Sequence, residues 1–412
     1  MRAPAQKSLA WRVVVRSLGR RRSELLAAFL AVMASSALLT FSLAAAWGAG
    51  TAWWDFPLAG LAVSVSLAQV WLVLRPWVQA EAPVLRQLEA QGASPGTVRL
   101  TVAGVTGGFS ALATALTLAL LLLARGTLVK LAGLTSTTSG PGPAAFLALL
   151  YATVLVLAVL VAAFAGTPCR TRTRDSIPSR VIWGVAATFL ALEAVTIGSQ
   201  RWFDLSTETF TLGMMLLVLG LVILLPAVYV LVARACNDLV FALRPMSART
   251  ASSWPEDTRA GEAATAMALA LSLLVALTGT PHDATSTGTL PWQDIALFVG
   301  TYAVAVVFWA TWPLTRSASL GYERLWGLGA GGATVASLAL RHSLIVALFQ
   351  SLVGGVVGAG VAAALRSFVE LGGTSNSGSL WPWTLATSGV ALVVCVATWV
   401  LAALTAPKHP RA

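Results

Sequence analysis

Lysine, histidine, cysteine and the carboxylates are where chemistry could reside in this chain. The 412 residues include three lysines, Lys7, Lys130 and Lys408. A phosphate-binding loop needs a lysine preceded by spaced glycines and followed by Ser or Thr, so that backbone amides cradle phosphate and a hydroxyl holds magnesium. None of the three lysines has that setting, so the Walker A route to ATP hydrolysis is absent. Histidine occurs at His282, His342 and His409, and cysteine at Cys169, Cys236 and Cys395, with no metal-ligand spacing. No Ser/His/Asp or Cys/His constellation accompanies them. The expectation is a chain with no catalytic residue, no metal and no cofactor of its own, with Cys169 and Cys236 as free thiols near the cytosol. Glu193 is the one acidic residue well inside an apolar run, near its outer end. Such a group can serve an ion relay, or it can simply be partnered or wetted at the interface, and its role stays open.

The elements that must carry these residues are apolar. The chain is 57% hydrophobic and 10% charged, against roughly 25% charged in a soluble domain. It therefore belongs in a bilayer. Its net charge of +11 is dispersed among apolar runs, with no basic domain interleaved with aromatics, which argues against nucleic acid as a partner. Arginine far outnumbers lysine and alanine is abundant, a composition expected of a GC-rich bacterial genome.

A membrane-spanning helix needs about 20 apolar residues. Ten candidate spans result: 25–47, 58–78, 97–125, 144–166, 180–198, 210–234, 262–280, 292–314, 337–366 and 381–404. All are expected to be helical, because hydrocarbon forces the backbone to satisfy its own hydrogen bonds. The first run follows a basic segment and ends in Ala44, Ala45 and Ala46, yet it is too long for a signal h-region and reads as a retained helix. With the N-terminus cytosolic, 23 of the 27 Arg and Lys residues fall inside, and Arg125, Lys130, Arg201 and Arg366 fall outside. The excess predicts cytosolic N- and C-termini in a bacterial cell membrane. Arg75, Arg341 and His342 sit toward cytosolic span ends.

An internal repeat emerges at an offset of 237 residues. Leu88, Gly92, Ala93, Thr97 and Val98 meet Leu325, Gly329, Ala330, Thr334 and Val335. The same offset carries spans one to four onto spans seven to ten. The predicted organisation is a basic segment 1–24, a four-helix repeat 25–166, a linker 167–261 with two spans, a second four-helix repeat 262–404 and a tail 405–412. Both repeats begin on the same side, so a pseudo-two-fold axis along the membrane normal is expected.

Between spans two and three lies "AEAPVLRQLEAQGASPGT", Ala80 to Thr97. Pro83 suits a first helical turn, Val84, Leu85 and Leu88 form one stripe, Gly92 suits a C-terminal cap, and Pro95 blocks continuation. A short amphipathic cytosolic helix with a tight turn is predicted. Its counterpart, Ser317 to Thr334, carries Leu320, Tyr322, Leu325 and Trp326 and ends in Gly327, Gly329, Gly331 and Gly332. Such a segment can lie on lipid headgroups or dock a partner; the duplication favours a partner. The pairs Gly104/Gly108 and Gly354/Gly358 have small-xxx-small spacing and are expected to pack helices, a substrate groove being the other use.

The stretches "LEAQGASPGTVRLTVAGVTGGFSALATA" and "ERLWGLGAGGATVASLALRHSLIVALFQSLVGG" resemble the FtsX-like permease family, membrane subunits of type VII ABC transporters. The resemblance covers spans one to four and seven to ten, and the ten-span, two-domain build looks like the bacitracin-exporter type. It implies two coupling helices that dock a separate ATPase, ATP and Mg being held on that partner and none on this chain. The implied docking residues are Leu85, Arg86, Leu88, Glu89, Gly92 and Ala93, and Tyr322, Glu323, Arg324, Leu325, Gly329 and Ala330. A dimeric ATPase, the lipid bilayer and possibly a second permease are the implied partners. The pattern departs from the family in its outer loops: ten residues separate Trp47 from Leu58, and no outer loop exceeds twenty, so the large extracytoplasmic domain is missing. Two functions stay open: an ATP-driven exporter of a hydrophobic or amphipathic compound, peptide or lipid, and a non-exporting signalling or assembly subunit beside a larger permease or sensor kinase. A secondary transporter is a third.

Overall fold

The computed structural model describes residues 22–48, 57–80, 82–123, 143–166, 177–199, 206–243, 258–279, 299–312, 325–370 and 381–405. These are helical apart from the turns at 91–94 and 328–331, and no strand occurs among them. The helices are α1 (Arg22–Gly48), α2 (Pro57–Ala80), α3 (Ala82–Ala90), α4 (Pro95–Leu123), α5 (Pro143–Gly166), α6 (Ile177–Ser199), α7 (Ser206–Leu243), α8 (Thr258–Gly279), α9 (Val299–Trp312), α10 (Gly332–Glu370) and α11 (Trp381–Thr405).

Six of them are long and apolar enough to cross a membrane: α1, α4, α5, α6, α7 and α10. Shorter apolar segments, Gly60–Arg75, Ala260–Ala276, Val299–Trp312 and Leu392–Leu401, lie in α2, α8, α9 and α11. Two helices outrun the expected spans. α7 has 38 residues and α10 has 39, or about 57 and 58 Å at 1.5 Å per residue. A helix ends where Gly, Pro or a cap stops it, and lies under no obligation to end at the hydrocarbon edge.

The chain divides into two compact units. In the first, α1 packs on α2, α4 and α5, and α4 packs along α5. The inward face of α4 carries Val98, Val102, Val105, Thr106, Ser110, Ala113, Thr114 and Thr117, recurring every three or four residues as one helical face requires. Hydroxyls stitch this unit together. Ser36 Oγ and Thr114 Oγ1 share a hydrogen bond of 2.9 Å, joining α1 to α4. Ser110 donates to the Ala158 carbonyl of α5 at 3.1 Å, and the Thr117 hydroxyl reaches the Met33 carbonyl at 3.4 Å. Phe29 and Phe109 meet edge to face at 5.5 Å. In lipid, where apolar contact alone gives helices little reason to associate, such bonds and close packing hold them together.

The second unit relies on missing side chains. Here α6 lies along α7, and α8 lies along α7, α10 and α11. A Cβ added at Gly184 would sit 2.9 Å from the Leu224 Cα, one at Gly213 would sit 2.8 Å from the Val195 nitrogen, and one at Gly220 would sit 2.9 Å from the Thr188 nitrogen. The numbers rise on one helix as they fall on the other, so α6 and α7 form an antiparallel pair in backbone contact. Gly261 of α8 fits against the Pro226 carbonyl of α7 in the same way, at 2.7 Å. Tyr229 of α7 meets Phe349 of α10 edge to face at 5.2 Å. The opposite face of α6 exposes Ile182, Trp183, Phe189 and Leu190, a surface suited to lipid.

Candidate functional site: two capped turns

The turn after α3 is built by its sequence. Leu85 and Leu88 drop into a core with Val78 of α2 and Val98, Val102 and Val105 of α4, and Leu25 of α1 packs against it. The helix then runs out. The Gly92 amide donates to the Glu89 carbonyl at 3.0 Å, and the Ala93 amide to the Leu88 carbonyl at 3.0 Å. Gly92 has φ +92°, a conformation an L side chain resists and glycine adopts freely. This is the Schellman arrangement of a helix C-terminus, completed by an apolar contact from the residue after the glycine, here Ala93. The chain reverses at once into α4. Ser94 caps that helix, its Oγ accepting from the Thr97 amide at 3.2 Å and its carbonyl from the Val98 amide at 3.1 Å. Pro95, which has no N–H to leave unsatisfied, occupies the first helical position.

The turn before α10 repeats this backbone. Gly329 donates to the Trp326 carbonyl at 3.0 Å and Ala330 to the Leu325 carbonyl at 2.9 Å, while Val335 donates to the Gly331 carbonyl at 3.2 Å. Gly329 has φ +82°. Each participant stands 237 residues after its counterpart, and Gly92 and Gly329 are the two positive-φ glycines among the described residues. Leu325, Trp326 and Ala330 pack on a core that includes Ala260, Ala263 and Ala264 of α8 and Val335 and Ala339 of α10.

The structure assigns the expected site residues unevenly. Leu85 and Leu88 are 6% and 4% exposed, so the expectation that this stripe meets a partner is corrected: the stripe fastens the turn to its own unit. Outward at the first turn point Gln87, Glu89, Ala90, Gln91, Gly92 and Ser94, and Arg99 lies one helical turn further on. Leu325 is half-buried. Arg86 lies in α3, and Tyr322, Glu323 and Arg324 lie outside the described residues.

The glycine pairs also divide. Gly354 and Gly358 face α8, where added Cβ atoms would lie 2.9 Å from the Leu271 Cβ and 2.7 Å from the Val275 Cβ. Gly104 and Gly108 are exposed, with nothing within 4 Å of an added Cβ. The packing expected of them is corrected: Gly107, buried against Val159 and Ala163 of α5, is the glycine of α4 that faces a neighbour. Four-residue spacing alone does not say which helical face meets a helix.

Two features escaped the sequence reading. Glu193 is exposed on α6, whereas Glu262, near the start of α8, is 1% exposed. The signal was the repeat itself, which sets Glu262 opposite Leu25. The other feature is Leu328, 85% exposed at the tip of the second turn, where the first turn has Gln91. Among the described residues no group of three or more His, Cys, Asp or Glu is placed to hold a metal ion. Comparison of the chain with family models, with curated proteins and with solved structures finds no match in any of the three.

Proposed function

We propose that this chain is the membrane subunit of an ABC transporter, built from two FtsX-like four-helix repeats joined by the α6–α7 hairpin, and driven by a separate ATPase. One observation carries the reading: two turns, 237 residues apart, close with the same pair of hydrogen bonds around a positive-φ glycine. A turn that only reverses the chain can be closed in many ways. Preserving one closure in two places is understandable if both must present the same rigid shape to a partner. The arrangement of helices adds support, since α1 packs on α4 and α5 as α8 packs on α10 and α11.

In this reading the turns lie on the cytosolic side, as the positive-charge excess requires. The ATPase, a dimer carrying ATP and Mg, docks on them, and its closure on ATP is transmitted through rigid caps into α4 and α10. The compound moved is hydrophobic or amphipathic, a peptide or lipid, and the bilayer is its source or destination. The test is co-expression. The purified chain alone should hydrolyse no ATP, and reconstitution with the ATPase should give activity that depends on both subunits. Turnover by the clean, isolated chain would overturn the proposal.

A further inference from the structure

The two turns share a backbone and differ in what they hold out. The first offers Glu89, Gln91 and Ser94, all exposed. The second offers Leu328, 85% exposed. Its neighbours Gly327, Gly329, Gly331 and Gly332 have no side chains to screen it, and an added Cβ at the first three would meet nothing within 4 Å. Leu328 is therefore a single apolar knob on bare backbone, held in place by the Gly329 and Ala330 hydrogen bonds beneath it.

Lipid does not account for it. Arg341 and Arg366 of α10 bracket 24 residues without a lysine, arginine or carboxylate, about 36 Å of helix, enough to fill a hydrocarbon core of about 30 Å. Gly332 lies nine residues before Arg341, so α10 continues about 13 Å beyond that level before the turn begins. An apolar side chain held that far out is exposed to water unless a protein covers it, and its burial would favour association.

We infer that Leu328 is the anchor of the second docking turn, and that the ATPase meets it with an apolar pocket one side chain wide, while meeting the first turn with a polar surface. The inference rests on the proposed function and deepens it: the two docking positions on the ATPase pair are chemically unlike, so specificity for the partner resides at the second turn.

The experiment places one cysteine at Leu328→Cys in a chain carrying Cys169→Ser, Cys236→Ser and Cys395→Ala. An environment-sensitive fluorophore is attached, and the chain is reconstituted in phospholipid vesicles. We expect water-like emission from vesicles alone and a shift to apolar emission when the ATPase is added; the same label at Gln91→Cys should shift much less. In unlabelled vesicles, Leu328→Gln should lower the apparent affinity for the ATPase at least tenfold, and Gln91→Leu should not lower it. Leu328 is almost fully exposed, so Leu328→Gln should melt with the wild type, which separates lost docking from lost folding. Apolar emission before the ATPase is added would place the turn in lipid and overturn the inference. Unchanged emission with an ATPase that binds and is stimulated would overturn the inference and leave the function standing. An ATPase that neither binds nor is stimulated by the wild-type chain would overturn the function, and the inference with it.

Discussion

The two turns solve one problem with different materials. At the first, Ser94 lends a hydroxyl to the opening amides of α4, and Pro95 removes an amide that would otherwise need a partner. At the second, Gly331 and Gly332 occupy those positions. Gly331 supplies only its carbonyl, and the ring of Trp326 lies 3.3 Å from where a Gly332 Cβ would be. One reversal is sealed by polar caps, the other by an aromatic ring laid over glycine. Hydrogen-bond geometry can therefore persist while the side chains that reinforce it change. What persists is the shape of the turn; what varies is its surface.

The strongest way to break the comparison is to attack the cores beneath the turns. Truncating a buried leucine to alanine costs ~2–5 kcal/mol, and an aspartate in its place must also be protonated or dragged into water. Leu88→Asp should therefore abolish the folded first unit, seen as aggregation in size-exclusion chromatography. Leu325→Asp, at a half-buried site, should lower the melting temperature and leave folded protein. Equal behaviour of the two would mean that the turns are not seated differently.

Next come the glycines within the helices. Gly358→Ala puts a methyl group 2.7 Å from the Val275 Cβ, and such overpacking costs ~1–3 kcal/mol. Gly108→Ala meets open space and should be neutral or stabilising by up to ~1 kcal/mol. Unfolding in mixed micelles by titrated SDS should separate them; a loss at Gly108 as large as at Gly358 would show that the exposed face of α4 has a neighbour.

A smaller effect belongs to the reversal itself. Gly92→Ala and Gly329→Ala each force a side chain into the left-handed region, at ~1–2 kcal/mol. The two losses should match, since φ is +92° and +82°; thermal melts that differ widely would deny the turns a common strain.

The caps should give the smallest changes. Ser94→Ala should cost ~1 kcal/mol, whereas Gly331→Ser, which supplies the missing hydroxyl in open space, should gain a few tenths. A Gly331→Ser variant less stable than wild type would mean that the second turn rejects the cap the first one uses.

The sequence by itself determined that the chain is helical and belongs in a membrane, because a bilayer leaves an apolar backbone no other way to satisfy its hydrogen bonds. It also marked the turns: Gly92 and Pro95 punctuate the chain locally, and Gly329 stands where the offset of 237 requires. Which face of each helix meets which neighbour was beyond local pattern. Leu85 and Leu88 form an amphipathic stripe whether it is covered by a partner, by lipid or by the chain's own core, and only the packing of Val78, Val98 and Val102 around them shows that the core has it. Gly104/Gly108 and Gly354/Gly358 have the same spacing, and tertiary contact separates the open pair from the closed one. Glu262 reads as an ordinary residue near the start of a helix until α8 is packed and it is buried. The physical reason is the same in each case: hydrogen bonds within a helix or turn depend on residues a few positions apart, whereas burial depends on residues brought together from across the chain.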